Sequence, residues 1–592
     1  MTETNSERLP MVRLSRPVRR LVVLHRFTLI ALVALLLATS IAMADDVAAS
    51  GGGTIDEAQP LLPVRDWPMF GGTTYRNHVS SATNLPTEWD TERRENVRWS
   101  ANVGSVAMGG VVVSGDRVFV GTNNEAEWVK RFPRDFDLGC LICFDRQTGK
   151  FLWQHSTTKL PTGRVHDWPF QGIVSTPCIE GERLWYVTNR AEVVCLDVAG
   201  FSDGENDGPF VDEEVAAEPE GDVVWKLDLM GELGVSPHNL STCSPVTDGK
   251  RLFIITGNGT DETHVTPPPK APDVLCLDRA TGKILWQDRP AGERTLHGSW
   301  SSPTYGVING QPMVLMGCGD GWVYAYDPQG DGNGGPKLLW KFDCNPKAAL
   351  WKIGGYSGAR RNCYVAIPVI HNNRVYLRTG QDPEHGDGVA DLWCIDPVKH
   401  LDGSDVSETQ VFANVVAGKP VGAPLPPRRN QNLDTAAGEA ELPNPKSAVV
   451  WHSQSEDLNV GGGPCPHINR GLGSPTIKDD LLFITDTSGY LFCVDANTGK
   501  PHWRHDLFAA CYSTPLIADG KVHVTDDDGE LTIFALSKEF KLIAELQQSN
   551  STVCTPIACE ETLYMLARNR LHAIAFPKAA SQTNKAETDD RR

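Results

Sequence analysis

Of the sixteen histidines in this chain, six (His166, His238, His264, His297, His385 and His467) fall in loops expected to share one face of the fold. Four of them, His166, His238, His297 and His467, come shortly before a small-residue and proline step that opens a strand. Trp168, Trp300, Arg361 and Arg470 fall at similar places. Imidazoles crowded beside guanidinium groups are driven neutral by like-charge repulsion, so they can accept hydrogen bonds or ligate a metal. Arginine favours a carboxylate or phosphate. If these positions converge, they form one pocket for a small anionic ligand or a peptide carboxylate, with tryptophan as a stacking wall.

A second pattern could hold a cation. Asp203, Glu205, Asp207 and Glu214 take positions 1, 3, 5 and 12 of a twelve-residue calcium loop, with Gly208 at position 6 for the turn. Glu at position 3 departs from the usual Asp or Asn, and no helices flank the loop, which favours a solvated acidic excursion. Cys140-Leu141-Ile142-Cys143 has redox spacing, but on a strand positions i and i+3 face opposite sides.

The elements that must position these residues are set by a repeat. A strand ends in Asp, a tight turn carries Thr-Gly-Lys, and the next strand bears Trp. The phrase runs from Asp145 to Trp153, Asp278 to Trp286 and Asp495 to Trp503, and with longer turns from Asp197 to Trp225 and Asp327 to Trp340. Asp bonds back to turn amides, Gly takes positive φ, and Trp covers the neighbouring unit. Each phrase follows a small residue and proline: Thr176-Pro177, Ser244-Pro245, Ser302-Pro303, Ile367-Pro368, Ser474-Pro475, Thr514-Pro515 and Thr555-Pro556, with Gly109-Gly110 in the first unit. That predicts an all-β, eight-bladed β-propeller of four-stranded antiparallel blades. The last unit stops after Arg570–Ile574, and the orphan strand Val97-Arg98-Trp99-Ser100 supplies the missing fourth strand, so the ring is expected to close through the N-terminus.

In a meander A-B-C-D, the B–C and D–A connections share one face. Most of the long loops, including those with the histidines, lie there, so it is the expected working face. Two C–D insertions, near 198–222 and 397–448, are expected on the opposite face, the second as a surface excursion. Cys143, Cys195, Cys276, Cys394 and Cys493 share one repeat position, too far apart on successive blades to pair, and read as packing thiols; Cys344 and Cys363 bracket one D–A loop and could bridge.

The repeat resembles the pyrroloquinoline-quinone (PQQ) repeat of the quinoprotein alcohol dehydrogenase-like propellers, and Asp66-Trp67-Pro68-Met69-Phe70-Gly71-Gly72 is similar to the lead-in of such propellers. The resemblance spans roughly residues 66–578 and implies the fold. It covers both dehydrogenases and outer-membrane-assembly scaffolds, so it does not imply an activity. Family members that bind PQQ carry an adjacent Cys-Cys pair, a tryptophan floor, calcium ligands and an aspartate base, and this chain has no adjacent Cys-Cys. The leading expectation is a non-catalytic propeller that binds a ligand or protein partner and needs no cofactor. The alternative is an alcohol or sugar dehydrogenase using PQQ with calcium.

Residues 1–44 read as a cleaved export signal: basic residues from Arg8 to Arg26, an apolar run from Phe27, and Ala42-Met43-Ala44 at the cleavage point. A linker over 45–65 and a disordered tail over 579–592 flank the propeller. The mature protein is expected to be periplasmic or secreted and not stably inserted in a membrane. Residues 1–44 hold six arginines and two glutamates, so removing them takes the formal charge from −19 to −23, which disfavours nucleic acid as a partner.

Overall fold

In the computed structural model, which describes residues 65–577 apart from 268–269, 348, 350, 352–360, 382–387, 430–432, 454–467 and 549, each phrase folds as its turn chemistry requires. Asp145 Oδ1 accepts from the Thr148 amide at 2.8 Å, and Asp278 and Asp495 do the same for Thr281 and Thr498 at 2.9 Å. The export signal and the tail lie outside the described residues, as does all of the linker but Arg65.

Eight four-stranded antiparallel meanders result. Blade one comprises Val112–Ser114, Arg117–Asn123, Leu138–Asp145 and Phe151–Thr158, innermost strand first. The inner strands of blades two to eight are Cys178–Glu180, Val246–Thr247, Thr304–Ile308, Val369–His371, Thr476–Lys478, Leu516–Ala518 and Ile557–Cys559. Val97–Asn102 pairs antiparallel with Arg570–Ile574 as the outermost strand of blade eight. The only α-helix among the described residues is the single turn Leu229–Leu233.

The phrase tryptophan is a wedge between blades. Trp153 donates its indole N–H to Val198 O of the next blade at 3.1 Å, and Trp225, Trp286, Trp451 and Trp503 repeat the contact with Arg279, Pro328, Ala496 and Ser537. Trp99, on blade eight, does the same to Arg146 O of blade one at 2.8 Å. The turn glycine explains itself here. Gly149 has φ +68°, and a Cβ on it would stand 2.5 Å from Trp99.

A second set of links runs around the axis. The hydroxyl of the small residue before proline accepts the backbone N–H of its counterpart on the preceding blade: Thr176 from Gly110 (2.8 Å), Ser244 from Thr176 (3.0 Å), Ser302 from Ser244 (2.9 Å), Ser474 from Ile367 (2.9 Å), Thr514 from Ser474 (3.0 Å) and Thr555 from Thr514 (2.9 Å).

The lead-in segment crosses beneath all eight inner strands in order. Trp67 pairs with Val113, Pro68 O accepts from Ile179, Arg76 donates to Ser244, Pro245 and Pro303, and Tyr75 O accepts from Ile370. Asn77 exchanges two hydrogen bonds with Ile477, His78 O accepts from Ile517, and Ser80 Oγ donates to Ala558 O.

The two C–D insertions correct the expectation that they stay on the far face. Each lies along the outer strand of the preceding blade, where unpaired edge groups invite it. Glu220 bridges Gln154 of blade one, and Ser404–Asp405 pairs in parallel with Trp340 and Lys341 of blade four. The second insertion then forms two short hairpins and returns to the working-face loops, where Arg429 donates to His264 O (2.6 Å) and Leu296 O (3.2 Å). Cys140 and Cys143 pack into different interblade clusters, as strand alternation requires, and Cys344 and Cys363 are both buried.

Candidate functional site

The inner strands leave a cavity of about 470 Å³ on the axis. Its wall takes one residue from the head of each inner strand: Gly110, Thr176, Ser244, Ser302, Ile367, Ser474, Thr514 and Thr555. Phe70 of the lead-in segment stands at one end. At the other, on the working face, are Trp168, Asn239, Trp300, Tyr512, Asp527 and Arg568, and most of the rest of the lining is aliphatic. Arg568 and Asp527 pair at 3.3 Å.

Of the residues expected to meet at the axis, Trp168 and Trp300 line the cavity. Trp168 is fixed by its backbone N–H to Asn239 O at 3.0 Å and by the Arg164 guanidinium 4.1 Å over its ring. Trp300 donates Nε1–H to His238 O at 3.0 Å and accepts from Thr242 at its carbonyl at 2.8 Å. Gly298 leaves room for the Trp300 ring to fold back over it.

His238 and His297 do come together, with ring centroids 4.0 Å apart, and His264 and Trp300 lie 5.1 and 5.0 Å from His297. They buttress Trp300 and are not part of the cavity lining. His238 Nδ1 lies 2.6 Å from Thr260 O, which places a proton on that nitrogen. His166 stands apart, its Nε2 3.0 Å from Ser236 Oγ. Its pKa is lowered, but by burial and not by the arginine repulsion the sequence suggested.

The two arginines are turned away from the axis. Arg361 is buried and pairs with Asp343 at 3.1 Å, beside Lys347, which meets the same carboxylate at 2.9 Å. Arg470 donates Nε–H to Asn362 Oδ1 at 2.6 Å. A guanidinium costs several kcal/mol to strand in apolar surroundings, so Asp343, at the end of the outer strand of blade four, captures that of Arg361. His385 and His467 lie outside the described residues.

The acidic loop is dispersed. Asp207 pairs with Arg183 at 3.1 Å, Glu214 with Arg131 at 2.7 Å, and Asp203 accepts from the Glu205 amide at 3.1 Å. Among the described residues no group of three or more His, Cys, Asp or Glu side chains could hold a metal ion.

Sequence reasoning missed Arg568 and Asp527, which sit in short B–C turns, and Tyr512, which precedes an inner strand without a histidine or arginine beside it, and it missed the lead-in residues beneath the cavity. PQQ carries three carboxylates and, in the family, a calcium ion. Against three carboxylates and a calcium ion, the described lining offers one arginine, already paired, and one aspartate, the rest being neutral polar, aromatic and aliphatic side chains. The lining therefore does not fit PQQ held with calcium.

Residues 438–574 match a family model, PQQ_2, described as outer membrane protein assembly factor BamB. Outer membrane protein assembly factor BamB of Shewanella oneidensis is 22% identical over 338 residues, covering 54% of this chain and 78% of that protein. A polyvinylalcohol dehydrogenase from a Pseudomonas species is 21% identical over 346 residues, covering 46% of this chain and 51% of that protein, about half its length. The crystal structure of BamB from Moraxella catarrhalis aligns with 81% of this chain and 99% of its own at 13% identity and a TM-score of 0.44. With eight blades built on one phrase, this chain is a β-propeller of PQQ-like repeats.

Proposed function

We propose that the protein is an exported, non-catalytic binding propeller whose working face and axial cavity recognise a ligand or a protein partner. The observation that carries this reading is the cavity: its wall draws on all eight blades, it ends at Phe70, and its one charged pair neutralises itself. A general base or nucleophile needs a titratable group poised in the pocket. Among the described residues Asp527 is the only such carboxylate in the lining, and its Oδ1 accepts from Ser551 at 2.7 Å besides pairing with Arg568. The partial match to an assembly factor supports a protein partner, and the basic and apolar pattern of residues 1–44 supports export to the periplasm or beyond.

The match to a polyvinylalcohol dehydrogenase keeps a second reading, a PQQ-dependent dehydrogenase. Reconstitution of the purified protein with PQQ and calcium separates the two. The binding reading expects no bound-quinone absorption and no dye-linked alcohol oxidation. Either signal at stoichiometric quinone would replace it with the dehydrogenase.

A further inference from the structure

Each of the six hydroxyls around the axis has been claimed on one side only. Thr176, Ser244, Ser302, Ser474, Thr514 and Thr555 accept a backbone N–H, and all six line the cavity. None of them donates its own proton to a protein atom among the described residues. A hydroxyl is a donor as well as an acceptor, so six O–H groups are left for whatever occupies the axis. A carboxylate, which only accepts, is the complement of such a ring.

The charge behind the wall agrees. Arg76 is fully buried beneath Phe70 and Ser244, both of which line the cavity. Its guanidinium donates to the carbonyls of Phe70, Ser244, Pro245 and Pro303 at 2.8–2.9 Å and meets no carboxylate among the described residues. A buried cation answered by dipoles alone leaves a positive field in its surroundings, and a low-dielectric wall transmits that field. Among the charged lining residues Arg568 and Asp527 pair with each other, and they do not offset the positive charge of Arg76.

We infer that the axial cavity is a site for a small free carboxylate carried on a flat apolar body. The carboxylate accepts hydrogen bonds from the hydroxyls of the ring under the field of Arg76, and the body lies against Trp168 and Trp300. The inference rests on the reading of the cavity as the ligand site. The volume of about 470 Å³ falls in the range of small-molecule pockets and suits a one- or two-ring acid.

The test is a calorimetric titration of the full-length mature protein with paired acids and neutral amides of the same shape: benzoate and benzamide, 1-naphthoate and 1-naphthamide, indole-3-acetate and indole-3-acetamide. At least one acid should bind about tenfold more tightly than its amide, the scale of a charge-assisted hydrogen bond. Trp300→Ala should weaken the acid, and Arg76→Met should erase its advantage while Arg76→Lys retains it. If the Arg76 variants fail to fold, the acid–amide ratio of the unaltered protein decides alone. Equal binding of acids and amides overturns the carboxylate and leaves the cavity reading standing. Binding by no member of the panel overturns both. A peptide with a C-terminal tryptophan acid that outcompetes every small acid overturns the free ligand in favour of a chain terminus.

Discussion

Blade seven runs from Leu516 to Gln547 with four strands and their turns, whereas blade five starts at Val369 and does not reach its outer strand until Val449. The difference lies in how each is joined to the blade before it. Blade seven is held to blade six by both repeat links, the Thr514 hydroxyl on the Ser474 amide and the Trp503 indole on Ser537 O. The junction of blades four and five has neither. Ile367 stands where a Ser or Thr would accept, and Trp340, fully buried, has no acceptor for its indole N–H among the described residues. At that same junction the long insertion docks. Gly403 and Val406 donate to Leu339 O and Lys341 O at 2.8 and 2.9 Å, Ser407 Oγ accepts from Asp343, and Val406 is buried against Leu339 and Trp340. Where the repeat loses its own fasteners, an insertion supplies others. Every other junction keeps at least one: blade eight reaches blade one through Trp99, and blade seven, with Ala544 in place of Trp, reaches blade eight through Thr555.

The harshest way to break this comparison removes the parts common to all junctions. Deleting residues 57–104 takes away the lead-in strap under all eight inner strands and the outer strand of blade eight. The expected outcome is loss of cooperative folding, with a bare edge prone to aggregation. Size-exclusion chromatography and near-ultraviolet circular dichroism check it. A monomer with an unchanged melt would show that neither part fastens the ring.

The strands and wedges were legible because their causes are local. Asp, Thr-Gly-Lys and Trp each act within one turn or on the adjacent blade, and the same reasoning placed Val97–Asn102 beside Arg570–Ile574. The tryptophans Trp168 and Trp300 were legible as axial because an aromatic side chain before an inner strand has an apolar place to go. Arg361 and Arg470 occupy similar sequence positions yet turn sideways. A long charged side chain follows its counter-charge, and the position of Asp343 relative to Arg361 depends on how two blades pack. The lead-in strap carries no period at all. Its bonds from Arg76, Asn77 and Ser80 go to backbone groups that any sequence would present, so nothing in those residues marks their partners.

A smaller break targets the weak junction alone. Replacing residues 403–445 by a short turn removes the strand Ser404–Asp405 from the outer edge of blade four and the burial of Val406. Stability should fall by about 3–5 kcal/mol, comparable with one large core truncation, while the remaining seven junctions hold. Denaturant melts measure the fall, and hydrogen exchange should place the new opening in Leu338–Asp343 and Val369–His371. Loss below about 1 kcal/mol would mean that the insertion decorates the ring without fastening it.

Single wedges sharpen the contrast further. Trp225→Ala should cost about 3–5 kcal/mol in cavity and lost contact. Trp340→Ala should cost about 1 kcal/mol less, because Trp225 also surrenders an indole hydrogen bond that Trp340 never makes. Equal costs, measured by urea unfolding, would remove the indole bond from the account of the junctions.

The smallest expected effect is a titration in the insertion's tether. His452, on the outer strand of blade five, stacks on Trp393 with centroids 3.3 Å apart. Its Nε2 faces Asp391 Oδ1 at 3.0 Å and its Nδ1 faces Glu408 Oε2, in the insertion, at 3.2 Å. With a carboxylate at each nitrogen, both bonds form only when the ring is the doubly protonated cation. Burial alone would depress the pKa, but the hydrogen bonds and charges of Asp391 and Glu408 outweigh it and raise the value above 6.5. A raised folded pKa stabilises fully below the unfolded value and ceases to do so as pH rises through the folded one. The tether to Glu408 should therefore be intact at pH 6 and slacken as the pH rises through the raised value. His452→Gln should cost about 1–2 kcal/mol at pH 6 and less at higher pH, so the two proteins converge as the pH is raised. Urea melts across pH 5.5–9 compare them. A gap that holds constant over that range would show that His452 contributes by packing on Trp393 and not by its charge.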